Sequence, residues 1–186
     1  MPLTDAEAIA HSLEDGASFG LVFERHYRRV WRYVASRAGV DAADELAAQT
    51  FEVAFDRRDR YRGEYDDASP WLLGIATNLV RRRRRQEGAR LRALARMDPG
   101  RPAPGADEEL GWGAEVGDRA AVARAFRRLA RRDREVLALL AWGELTYEEA
   151  AVALDVAVGT VRSRAHRARA RVMELLEQEG ARTGDE

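Results

Sequence analysis

The sequence predicts an all-α protein: two small helical domains joined by a flexible linker, the C-terminal one a helix-turn-helix. Three observations carry this expectation. Apolar residues recur at spacings of three and four along most of the chain, the period of a helix with one buried face. From Met97 to Gly117, three prolines and five glycines break that pattern, as a linker does. Finally, residues 145–172, LTYEEAAVALDVAVGTVRSRAHRARARV, read as a short capped helix, a tight turn and a longer helix with an arginine face. The domains are accordingly placed at residues 10–96 and 118–178, with the linker at 97–117.

Charge is balanced overall, at a formal −1 over 186 residues, so nucleic-acid binding has to come from segregated charge. Residues 41–56 carry five acids and no base, whereas residues 81–96 carry eight arginines against Glu87 alone. One surface should seek a basic partner and the other an acidic one. All 31 basic residues are arginine and there is no cysteine. Phosphate-loop lysines, Schiff bases, thiolate nucleophiles and cysteine zinc sites are therefore excluded. His11, His26 and His166 are too far apart to read as a ligand set and are expected at surfaces or helix flanks. No metal, no cofactor and no enzymatic activity is expected. The N-terminus carries acids where a signal peptide carries bases, and no apolar run approaches a membrane span, which predicts a cytoplasmic protein with no membrane insertion.

In chain order, Phe23, Tyr27, Val30, Trp31 and Val34 form an apolar stripe on a helix over 18–37 that Gly39 ends. The next helix starts at Asp41 or Ala42. It turns Leu46, Phe51, Ala54 and Phe55 inward and Asp44, Glu45, Gln49 and Glu52 outward; acids in its first turn also suit the helix dipole. A short helical turn and a loop follow. Ser69 and Pro70 then read as cap and first residue of a helix with Leu72, Ile75, Ala76 and Leu79 buried. Trp71 and Asn78 precede the pentad Arg81 to Arg85, the combination of aromatic and guanidinium that unpaired nucleic acid requires. Trp71 taken alone reads as core. The linker, extended, would reach about 70 Å, which lets the flanking domains touch separate DNA sites. Within it, Leu110 and Trp112 are candidates for docking on a partner.

Beyond the linker, a helix from Asp118 to Leu129 would bury Val122, Ala125, Phe126 and Leu129, and a second, containing Val136, Leu139 and Leu140, would end near Gly143. Thr146 and Glu149 then form a capping box, which starts a helix at about Tyr147. Apolar positions change phase at Asp155 to Ala157, where two helices meet. In the second, Val161, Ala165, Ala168, Val172 and Leu175 mark the buried side, and Arg162, Ser163, His166 and Arg167 the outer one. Thr160 to Val172 holds five arginines and no carboxylate. A merely solvated helix is the alternative for these arginines. The capping box, turn and small buried alanines favour a helix that enters the DNA major groove. The tail from Glu174 is expected to fray.

These motifs together resemble the extracytoplasmic-function subfamily of sigma-70 family sigma factors, from about Phe19 to Gln178. FERHYRRVWRYV resembles region 2.1, DELAAQTFEVAF region 2.2, and PWLLGIATNLVRRRRR regions 2.3 to 2.4. RDREVLALL, LTYEEAAVAL and VGTVRSRAHRARARV resemble region 4. The resemblance implies a subunit that binds RNA polymerase core and directs promoter-specific initiation. It implies that Asp44, Glu45, Gln49 and Glu52 dock on the clamp helices of the largest polymerase subunit, with the flap as a further core contact. Arg62, Trp71, Asn78, Arg81 and Arg82 would read the melted minus-10 element. Thr160, Arg162, Ser163, Arg164, His166 and Arg167 would meet the minus-35 element. An anti-sigma factor is an implied partner. The chain departs from the family pattern at several positions: Ala48-Gln49 stands for the usual Gln-Glu, Gly74 for a commonly basic residue, and Asp155 for the frequent turn glycine. Ala157 likewise lacks the usual serine cap. A polymerase-independent helix-turn-helix regulator and a pure protein-interaction module are the competing readings.

Overall fold

A computed structural model describes residues 3–63, 65, 67–97 and 118–183. Among these the chain is helical, with no strand: α1 (Asp5–His11), α2 (Gly20–Ala38), α3 (Ala43–Asp56), α4 (Ser69–Met97), α5 (Asp118–Arg127), α6 (Arg131–Ala141), α7 (Tyr147–Leu154) and α8 (Val158–Thr183). Most of the expected linker, with Leu110 and Trp112, lies outside the described residues. None of the described helices is long and apolar enough to cross a membrane.

Helix α1 opens with a complete capping box, Thr4 with Glu7, the same device that starts α7 at Thr146 and Glu149. Ala8 and Ile9 bury its inner face. The stripe of α2 differs from expectation. The predicted Val30 and Val34 are buried and Tyr27 and Trp31 pack against the core, but the buried arc widens to Val22, His26, Tyr33 and Arg37, and Phe23 is 42% exposed. Three elements share the reason: α2 packs on α1, α3 and α4, so no single apolar stripe serves it. Phe23 instead meets Phe51 at 4.9 Å, ring edge to face, on the rim of the α2–α3 contact.

Helix α3 buries Leu46, Ala47, Thr50, Phe51 and Ala54, and α4 seats on α2 and α3. Ser69 is not the cap of α4. The first helical bond runs from the Leu72 N–H to the Ala68 carbonyl, and Asp67 Oδ1 accepts the Ser69 N–H at 2.7 Å. The Ser69 hydroxyl serves His26 and Arg29 instead. Because α7 covers a second side of α4, Leu73 and Val80 are buried along with the predicted Leu72 and Ala76.

In α5 the inner residues are Ala123, Ala125 and Phe126; Val122 faces out at 40% exposure. Helices α5 and α6 pack against α8. Asp155 holds the left-handed conformation, φ 53° and ψ 56°, which places the turn between α7 and α8 where the phase change predicted it; Asp tolerates this region better than most residues. The inner line of α8 is the predicted one, with Val161, Ala165, Ala168 and Leu175 fully buried. The tail does not fray at Glu174. Helix α8 continues to Thr183, anchored by Leu175 and by Glu179, which accepts from Arg124 on α5 at 3.1 and 3.2 Å.

Candidate nucleic-acid interface and its acidic counterpart

The outer side of α8 presents Arg162, Ser163, His166 and Arg167 to solvent, with Thr160 and Arg164 half-buried. The small inner residues set this orientation, since alanines let α8 lie close to α5 and α6 and leave the long side chains the outer arc. The arginines are lightly held. Arg162 meets Glu148 at 2.8 Å and Arg167 meets Asp133 at 3.3 Å, both guanidiniums more than half exposed. Exposed pairs of this kind contribute little and are screened by salt. Ser163 donates to its own helix at the Thr160 carbonyl.

The set predicted on α4 and the loop before it is divided among three places. Arg62 is exposed and Trp71 half-buried; they line one cavity with Tyr61, Tyr65 and Pro70, where the Tyr61 and Trp71 rings lie 5.0 Å apart. Arg81 opens instead on a crevice shared with Arg85, Arg131, Thr160, Arg164 and Arg167. Arg82 faces the other way, into a groove with Gln49 and Glu52. Asn78 is exposed on the Arg81 side, its Oδ1 3.5 Å from an Arg81 nitrogen.

On α3, Asp44, Glu45 and Glu52 are exposed and Gln49 is half-buried. The acidic face is partly engaged at home. Asp44 accepts from Trp31 Nε1 at 2.8 Å and from Tyr27 at 3.3 Å, and Glu45 pairs with Arg83 at 3.0 Å.

Two buried networks escaped the sequence reading. In the first, Glu135 of α6, 1% exposed, accepts from Arg81 Nε at 3.0 Å and Nη2 at 2.8 Å, with Arg131 at 3.4 Å and Arg37 at 3.7 Å. Burial alone would raise its carboxyl pKa; the Arg81 hydrogen bonds, with the charges of Arg81, Arg37 and Arg131, outweigh that and hold it below the ordinary range. In the second, Asp5 accepts from Arg25, from the Ala68 N–H and at 2.5 Å from His26 Nε2. His26 Nδ1 lies 3.0 Å from Ser69 Oγ. Burial again opposes ionisation of Asp5, and the His26, Ala68 and Arg25 hydrogen bonds push its pKa well below the usual carboxylate range. His26, expected at a surface, is thus an internal strut joining α1, α2 and the start of α4. Asp5, His26 and Asp67 present atoms within 4.8 Å of one another, the spacing of a cation site. Arg25 and Arg29 donate into the same carboxylates, so the charge a metal would meet is already balanced.

Arginine faces on α4 and α8 that share a crevice, beside a separate acidic face, define a DNA-reading protein with a second, basic docking partner. Residues 22–90 match the family model for Sigma-70 region 2, and residues 119–172 that for Sigma-70, region 4. The chain is 30% identical over 164 residues to the ECF RNA polymerase sigma factor SigC of Mycobacterium tuberculosis (strain CDC 1551 / Oshkosh), covering 88% of this chain and 86% of the relative. It is 32% identical over 177 residues to SigM of M. tuberculosis (strain H37Rv), covering 93% and 85%. Among solved structures, CnrH in complex with the cytosolic domain of CnrY aligns with a TM-score of 0.67 at 26% identity, over 94% of this chain and 98% of that one. The sigma factor RpoE of Bartonella quintana, bound to the anti-sigma factor NepR, aligns at 0.63 and 25% identity, over 88% and 97%. The chain belongs to the extracytoplasmic-function subfamily of sigma-70 family sigma factors. It is an RNA polymerase-binding factor that directs promoter-specific initiation, and a polymerase-independent regulator is not favoured because both sigma regions are present.

Proposed function

We propose that this work is divided among three faces. Thr160, Arg162, Ser163, Arg164, His166 and Arg167 meet the minus-35 element in the major groove, where guanidinium reads guanine bidentately and hydroxyls contact bases or phosphates. Arg62, Trp71, Asn78, Arg81 and Arg82 meet the melted minus-10 element by stacking and phosphate pairing. Asp44, Glu45, Gln49 and Glu52 dock on basic helices of the polymerase clamp, with the flap as a further core contact. The domains at 10–96 and 118–178, with the 97–117 linker between them, form a two-point promoter reader.

The observation that carries this reading is the separation of charge: a carboxylate face on α3 and an uncovered guanidinium face on α8. An initiation factor of this kind works in the cytoplasm and supplies no catalysis of its own. Two of the solved structures this chain resembles are complexes with partner proteins, which supports an anti-sigma partner here. The test is transcription by sigma-free polymerase core from a library of genomic promoters. Addition of the protein should give discrete start sites with common upstream elements. Failure across the library with folded protein would overturn the reading.

A further inference from the structure

The face of α4 that carries Gly74 and Arg81 packs on the chain's own C-terminal helices at those two positions, with Asn78 between them left exposed. Glycine is disfavoured inside a helix, and Gly74 has a visible reason to be there. A Cβ at this position would sit 3.0 Å from the Ala153 carbonyl oxygen and 3.4 Å from its Cα. That neighbour is α7 backbone and cannot rotate aside, so a larger residue holds the helices apart. Seven residues along, Arg81 gives both Nε and Nη2 to Glu135. At the edge of the contact, Arg29 and Arg32 of α2 both pair with Glu144, which holds φ at 54° to sit there. A guanidinium with two parallel N–H groups binds carboxylate and phosphate alike. Glu135 therefore occupies on Arg81 the donors that a phosphodiester of an unpaired strand would take.

We propose that this α4 face is a shared docking surface, on which the chain's own C-terminal helices and a melted nucleic-acid strand exclude one another. The free protein is closed by Gly74, Glu135 and Glu144, and strand binding requires release. The proposal rests on the reading of α4 as the minus-10 contact. The closure is reversible by construction. Arg37 is 1% exposed, yet its Nε and Nη1 meet no protein acceptor among the described residues, so the closed state satisfies this cation incompletely.

The full chain has no cysteine, so Glu24→Cys on α2 and Met173→Cys on α8, both exposed, accept a donor–acceptor dye pair. Transfer should fall when a short single-stranded oligonucleotide is added. It should already be low without oligonucleotide in Gly74→Leu, which is neutral in charge, and in Glu144→Ala, an exposed side chain whose loss leaves the core intact. Both variants should bind the oligonucleotide about 3–10-fold more tightly, since less of the protein is held in a closed form. Unchanged transfer at saturating oligonucleotide overturns the proposal, as do variants that open without binding more tightly. Asn78→Ala and Arg82→Ala report on the strand reading by itself. Binding unchanged in both overturns that reading, whatever the dyes show.

Discussion

Two arginine surfaces of this protein are held in opposite ways. On α8, Arg162 meets the exposed Glu148 and Arg167 the largely buried Asp133, each through one nitrogen and with its own guanidinium more than half exposed. On α4, Arg81 is clamped through two nitrogens by a glutamate that is almost wholly buried. Water screens the first kind of contact and leaves the guanidinium free to exchange partners. The second kind is coupled to a desolvated neighbour, Arg37, and cannot be given up without rearranging the helices around it. On the proposed reading, the upstream surface is presented ready for DNA and the downstream one is withheld.

The largest effect that would test this contrast is expected at Glu135. Glu135→Ala removes the counter-charge of Arg37 from the closed form and should lower stability in urea unfolding, by about 3–5 kcal/mol where Arg37 stays buried and by less where the helices part and water reaches it. The double variant Arg37→Met, Glu135→Leu should recover most of that loss, since an apolar pair of similar volume carries no desolvation cost. If the single and double variants are equally unstable, the buried charge is not the cause. Next comes Arg167→Ala, expected to lose about 1–3 kcal/mol of discrimination at one minus-35 base pair while barely moving the unfolding midpoint. An unchanged promoter profile removes Arg167 from the reading set. Acid should separate the surfaces further. The Glu135 and Asp5 carboxyls titrate below their ordinary values in the folded protein. Their contribution is complete above the ordinary carboxylate range and is lost as pH falls through the depressed values. Urea midpoints should be flat above about pH 5 and drop below it. A midpoint that rises on acidification contradicts both networks. The smallest effect belongs to Arg162→Ala, which should shift stability by no more than about 0.5–1 kcal/mol, and by less still at high salt.

The parts of this architecture written in local spacing were legible in the sequence. Thr146 and Glu149 announce the start of α7, Asp155 its end, and the alanines of α8 its inner line, because each signal spans one or two helical turns. The same capping box at Thr4 and Glu7 was open to the same reading and marks a helix that the sequence analysis passed over. What local spacing cannot show is a residue satisfied from far along the chain. His26 was expected at a surface, and the burial of Arg37 went unseen, because the groups that permit it, Asp5 and Ser69 for one and Glu135 for the other, lie outside any helical window. Phe23 and Val122 failed for the converse reason: both fit an apolar period, but their helices meet neighbours on a different arc. On the site itself, the arginine face of α8 was readable as a face. The minus-10 set was not: Arg62 lies in the loop before α4 and Arg81 and Arg82 are neighbours on it, yet the three open on different surfaces. Gly74 was noticed as a departure from the family pattern, but its meaning needed Ala153 beside it.

The unsatisfied nitrogens of Arg37 also bear on time. A fully satisfied buried pair would make separation of the helices slow and costly, whereas an interior cation with two idle donors gains water contacts as soon as the helices part. Opening of such an interface belongs with hinge motions in the microsecond-to-millisecond range.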